Sequence, residues 1–181
     1  MAPRGLASLM RRVIGILMLP ILACRPGAAS PPSEGEMAAS WTGSTRGAFR
    51  APATALWCAR DTLLELIAVR NDTAVGFALF SRDSLHAGIY LMVSAKVAVA
   101  FRPRANAAAR WLDQVELKGY EGSSGKVTLS RTGASGLSGT FEVGLHRTES
   151  PDTLVLTGSF ARVPVGKAIE ACGRANRPGA G

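Results

Sequence analysis

The sequence predicts an all-β fold: a single antiparallel β-sandwich or open β-barrel of about seven to nine strands, placed after an N-terminal signal helix and a disordered tether. Two observations predict it. From residue 50 onward, apolar and polar residues alternate with period two over short runs. Gly, Ser, Asn and Pro punctuate those runs at regular spacing, as turns of an antiparallel sheet do.

The elements follow in order. Ala53–Ala59 is the first candidate strand. Leu63–Arg70 ends at Asn71-Asp72, a turn pair, and Ala74–Ser81 follows closely enough to form a hairpin. Ala87–Ser94 places Ile89, Leu91 and Val93 on one face, and Val97–Arg102 does the same with Val97, Val99 and Phe101. Pro103 lacks an N–H for a ladder and ends that run. Ala105–Leu112 reads as a helical turn because of Ala107-Ala108-Ala109, and it leads into a strand over Trp111–Gly119. Gly119–Lys126 reads as a flexible hairpin loop. Gly125–Arg131, Leu137–Arg147 and Asp152–Val163 alternate most clearly, with Val127 and Leu129, Phe141, Val143 and Leu145, and Leu154 and Leu156 on their apolar faces. Lys167–Arg174 suggests a short helix, and 175–181 a frayed tail.

The N-terminus carries a different signal. Arg11-Arg12 precedes an apolar run, Val13–Ala23, and Cys24 follows a small residue. The run is about half the ~20 residues a spanning helix needs, so it reads as an export signal. Leu19-Pro20-Ile21-Leu22-Ala23-Cys24 resembles the lipobox of bacterial lipoproteins, with Leu22 bulkier than the usual residue two places before the cysteine. The resemblance implies cleavage after Ala23, acylation of Cys24, and anchorage of the protein in the bacterial cell envelope. The outer membrane is favoured, because Arg25 is unlike the aspartate that retains some lipoproteins in the inner membrane. A plain secretory signal cut within 28–33 is the alternative. The expected organisation is a signal peptide over 1–23, acylated Cys24 and a Pro/Gly/Ser-rich tether over 24–45, a β-domain over 46–174 and the tail.

Ser-Gly-Lys-Val-Thr-Leu, Leu-Ser-Gly-Thr-Phe-Glu-Val and Leu-Thr-Gly-Ser-Phe-Ala-Arg-Val-Pro-Val follow one another between Ser124 and Val165. This stretch resembles the C-terminal meander of small bacterial lipoproteins with an all-β domain. The resemblance covers about a quarter of the chain and implies an architecture but no reaction. Gly139 and Gly158 in it are expected to admit close approach of Phe141 and Phe160.

Composition and residue counts restrict the chemistry. With Cys24 acylated, Cys58 and Cys172 remain as an even pair, which in an oxidising compartment reads as a disulfide. Closing so long a loop stabilises by about 4–5 kcal/mol in the chain-entropy model. The formal charge is +8, of which Arg4, Arg11 and Arg12 belong to the signal, leaving about +5. Most basic residues lie scattered singly, so nucleic acid is not an expected partner.

The chain has two histidines, His86 and His146, and no metal-ligand spacing, nucleophile elbow or phosphate loop. No catalytic residue, metal or cofactor is therefore expected. Glu65, Glu116 and Glu142 are strand carboxylates whose simplest orientation is toward water. Trp57, Tyr90, Trp111 and Tyr120 are the residues expected to line a ligand face if one exists. The sequence thus points to a non-enzymatic, lipid-anchored binding module for an envelope protein or a small apolar ligand. An envelope hydrolase and a hollow calycin-like barrel are its alternatives.

Overall fold

The computed structural model describes residues 30–93, 104–131, 136–147 and 149–167. Ten strands run in chain order as β1 (Glu36–Gly43), β2 (Gly47–Cys58), β3 (Leu63–Arg70), β4 (Thr73–Phe80), β5 (Gly88–Met92), β6 (Arg104–Asp113), β7 (Glu116–Arg131), β8 (Leu137–His146), β9 (Thr153–Val163) and β10 (Val165–Lys167). Their spatial order is β1-β9-β8-β7-β5-β6-β4-β3-β2-β10, and β1 also pairs with β2. That last pairing closes β1–β9 into a barrel. The all-β expectation holds; the architecture is a barrel rather than a sandwich, and its ring is closed rather than open.

Two strands give the ring an unequal circumference. The first part of β7 pairs with β6, from Asp113↔Glu116 to Ala108↔Glu121. Its second part pairs with β5, from Leu91↔Lys126 to Gly88↔Leu129. Between them lies a register shift at Gly122/Ser124, and Gly125 sits at φ +101°. A bulge bends a strand and increases its twist, which lets β7 leave β6 and admit β5 as a wedge. The segment Gly119–Lys126, expected as a loop, is thus the kinked middle of a strand. The second short strand, β10, runs parallel to Ala55–Trp57 of β2. It continues β9 past Pro164 and fills the place that β1 leaves beside the far half of β2.

Alternation sets what lies inside. Met37, Ala39 and Trp41, then Leu64 and Leu66, then Val75, Phe77 and Leu79 are all buried in one apolar cluster. Three successive inward positions of β2 (Ala51, Ala53, Ala55) and three of β6 (Ala105, Ala107, Ala109) are alanine. Small residues on some staves make room for aromatic rings from others, as small barrels require. Trp41 stacks on Trp111 and Trp111 on Tyr120, each at a centroid distance of 4.6 Å. Phe77 meets Phe141 at 4.7 Å. Side chains fill the inside, as expected of a barrel of about eight strands.

Four expectations are corrected here. Ala105–Leu112 is strand, because the barrel needs small residues facing inward there, and tertiary demand overrides the helix propensity of alanine. Trp111–Gly119 is not one strand but two, joined by a two-residue turn in which Gln114 takes φ +57°. The faces of β5 are reversed: Tyr90 and Met92 are buried, whereas Ile89 and Leu91 are 52% and 59% exposed. Glu36–Gly43, expected to belong to the tether, forms β1 and pairs with both β2 and β9, so the β-domain begins before residue 46. The Val97–Arg102 strand, the Lys167–Arg174 helix beyond Lys167, Cys24, Cys172 and the tail lie outside the described residues.

Ser30–Glu34 precedes β1 and is held against the barrel. Arg50 donates to the carbonyls of Ser30 and Pro31 and pairs with Glu36 at 3.2 Å. Glu36 also accepts from the Ser33 N–H at 3.0 Å. That backbone hydrogen bond is the main cause holding the Glu36 carboxyl below its ordinary value of 4.5. A depressed carboxylate stabilises the folded form above its unfolded pKa, and the contribution is lost as pH falls through the lower folded value. Acidification below 4.5 is therefore expected to loosen 30–34. Limited proteolysis across a pH series checks this, and Glu36→Gln should show the loosened pattern at neutral pH.

Candidate interaction surface

The antiparallel register places the β1–β2, β3–β4, β6–β7 and β8–β9 turns at one end of the barrel. This is the distal end; the chain enters β1 at the opposite, proximal end. The distal mouth is closed by the Trp41–Trp111–Tyr120 stack. Charged pairs stand above it, Lys118 with Asp113 and Arg147 with Glu116. Those contacts raise the pKa of Lys118 and of Arg147, in each case chiefly through the carboxylate hydrogen bond. The Trp41 indole N–H and the Tyr120 hydroxyl are buried and have no hydrogen-bond partner among the described residues.

The β6–β7 turn carries the most exposed apolar residues at this end. Val115 is 95% exposed at its tip, and the cross-strand pair Leu112 and Leu117 is 48% and 55% exposed. β8 pairs with β7 only from Glu121 onward, and β4 with β6 only as far as Arg110. The ladders of both neighbours therefore stop short of the ribbon from Trp111 to Lys118.

Beside it, on the outside of the wall, lies a trough of about 700 Å³. Gly76, Ala108 and Gly119 lie among its small residues, and Ile67, Arg110, Leu117 and Glu121 are among its larger ones. Its volume falls in the range of ligand sites, although it is a groove on a sheet rather than an enclosed cavity.

The expected ligand-lining aromatics do not converge. Trp57 packs partly buried at the proximal end of β2, and Tyr90 is buried on β5 with its hydroxyl donating to the His86 carbonyl at 3.0 Å. Only Trp111 and Tyr120 meet, and they do so inside the core. The third ring of the stack is Trp41, which lies against Trp111 and belongs to the segment expected to be tether.

One loop brings Asp, Ser and His together. His86 Nε2 lies 3.0 Å from both Asp83 Oδ1 and Ser84 Oγ. A catalytic triad needs the carboxylate on Nδ1, so that Nε2 stays free as a base toward the serine. Here carboxylate and hydroxyl share one nitrogen, and the His86 and Asp83 side chains are 62% and 77% exposed. The His86 hydrogen bond is the largest cause lowering the Asp83 pKa. The arrangement is a local loop staple, with a shallow 270 Å³ hollow beside it.

The strand carboxylates are also apart. Glu65 lies on β3, Glu116 at the distal rim and Glu142 on β8 opposite Lys126. Among the described residues no group of three or more His, Cys, Asp or Glu side chains is placed to hold a metal ion, and no helix is long and apolar enough to cross a membrane.

No family model, curated protein or solved structure was found that matches this chain.

Proposed function

We propose that this protein is a non-enzymatic module of the bacterial cell envelope, anchored by lipid at Cys24, that binds its partners through its outer surface. The observation that carries the reading is the filled interior. A barrel packed with Trp, Tyr, Phe, Leu and Ala leaves its outer wall and rims as the surface available for recognition. The apolar distal ribbon supports the same reading, because exposed apolar side chains grouped together mark interaction sites.

The expected Cys58–Cys172 disulfide belongs to this proposal. Cys58 is 1% exposed at the end of β2, and β10 runs beside that end with Lys167 opposite Trp57. Lys167 thus pairs with the neighbour of Cys58 in β2 and stands five residues before Cys172 in the sequence.

Intact-mass spectrometry of protein purified from membranes without reductant tests both parts. The expected mass is that of a chain starting at an acylated Cys24 and lighter by two hydrogens. Cys24→Ala is expected to abolish acyl labelling and release the domain from membranes. An unacylated chain starting downstream of Cys24, or acyl labelling unchanged in Cys24→Ala, would overturn the anchor.

A further inference from the structure

The trough holds two glycines that neither backbone nor packing demands. Gly76 and Gly119 lie inside strands and are not at positive φ. A Cβ on Gly119 would meet nothing within 4 Å, and one on Gly76 would meet its nearest atoms at an ordinary 3.7 Å. Glycine inside a strand weakens it and often marks a place where a ligand or another backbone comes close.

The knob that fits such a hollow is on the same patch. Leu117 belongs both to the trough and to the ribbon whose tip is Val115. Charge is self-complementary as well. Arg110, Glu121 and Glu149 line the trough, and among the described residues none of them makes an ion pair. A patch with a knob beside a hole, and unpaired charges of both signs, satisfies the condition for a two-fold interface: what one copy offers, the other receives.

We propose that the occupant of the trough is the β6–β7 tip of a second copy of this chain. Val115 of each copy enters the Gly76–Ala108–Gly119 trough of the other, with Arg110 facing the acidic residues across the two-fold axis. The inference goes beyond the function proposed above and does not depend on acylation of Cys24.

The test is a photo-reactive amino acid at position 115 of the full chain, irradiated in cells. The expected product is an adduct of twice the chain mass whose cross-linked peptides join position 115 to the segments bearing Gly76 or Gly119. Gly119→Leu has room to fold, so its melting temperature should hold or rise while the adduct falls about tenfold or more, as for a blocked hot spot. If that variant misfolds, Val115→Glu decides: this exposed tip change should leave melting unchanged and dissociate the dimer in sedimentation. Monomer alone, an adduct only to another protein, a dimer linked elsewhere, or a dimer indifferent to these changes overturns the proposal.

Discussion

Trp111→Ala is expected to remove about 3–5 kcal/mol of stability, the usual cost of deleting a buried large aromatic. Trp111 is the middle ring of three, with Trp41 on one face and Tyr120 on the other. It is 6% exposed. Removing it leaves a cavity at the distal mouth and takes the stacking partner from both neighbours. Among the described residues neither the Trp41 N–H nor the Tyr120 hydroxyl has a hydrogen-bond partner, so the stack is held by packing. Domains of this size are stable by about 5–15 kcal/mol, so the loss is a large share of the whole. Urea unfolding monitored by circular dichroism measures it, and Trp111→Phe, which keeps a ring, should lose less. A shift below about 1 kcal/mol for the alanine variant, the size of an ordinary substitution, would mean that Trp111 serves a surface rather than the core.

Adding one methyl group at Gly158 or Gly139 is the second large effect. These glycines face each other's phenylalanines across β8 and β9, Gly139 opposite Phe160 and Phe141 opposite Gly158. A Cβ at Gly158 would lie 2.2 Å from the Ala38 carbonyl oxygen and 2.5 Å from the Phe141 ring. At Gly139 it would lie 2.2 Å from the Thr128 carbonyl oxygen and 2.6 Å from the Phe160 ring. Backbone cannot yield as a flexible side chain can, so the strands must part or the rings leave their rotamers. Overpacking of this kind costs about 1–3 kcal/mol and sometimes more. Gly158→Ala and Gly139→Ala should each lower the melting temperature, whereas Gly119→Ala should not. Equal melting temperatures for all three would refute the close approach.

The close approach of these phenylalanines was legible in the sequence, because a glycine two residues before a phenylalanine recurs in two neighbouring alternating runs. The Asn71-Asp72 hairpin was legible for a similar reason: Asn71 takes φ +52°, a conformation its short polar side chain tolerates. The faces of β5 were not, since Ile89 and Leu91 alternate with Tyr90 and Met92, and period two cannot rank two apolar sets. β1 was hidden because Glu36–Gly43 has few large apolar residues and relies on Met37 and Trp41. Nothing local announces the β5 wedge, the parallel β10 or ring closure, which depend on partners distant in sequence. The candidate surface was missed for one reason: Asp113-Gln114-Val115-Glu116 lacks the glycine of a favoured hairpin turn, so two strands read as one.

Ring closure has a consequence for how the chain comes to be folded. The seam strand β1 sits between β2, its neighbour in sequence, and β9, with Ser40 touching Thr157 117 residues away. The barrel cannot shut until nearly the whole domain has been synthesised. Closing so long a loop is slow, because chain entropy is lost before the contacts return it. Until then β8 and the β1–β2 hairpin present open edges to any other strand nearby. A chain of this topology stays threadable through a narrow channel up to its last strands, and it is most vulnerable to aggregation just before β9 arrives.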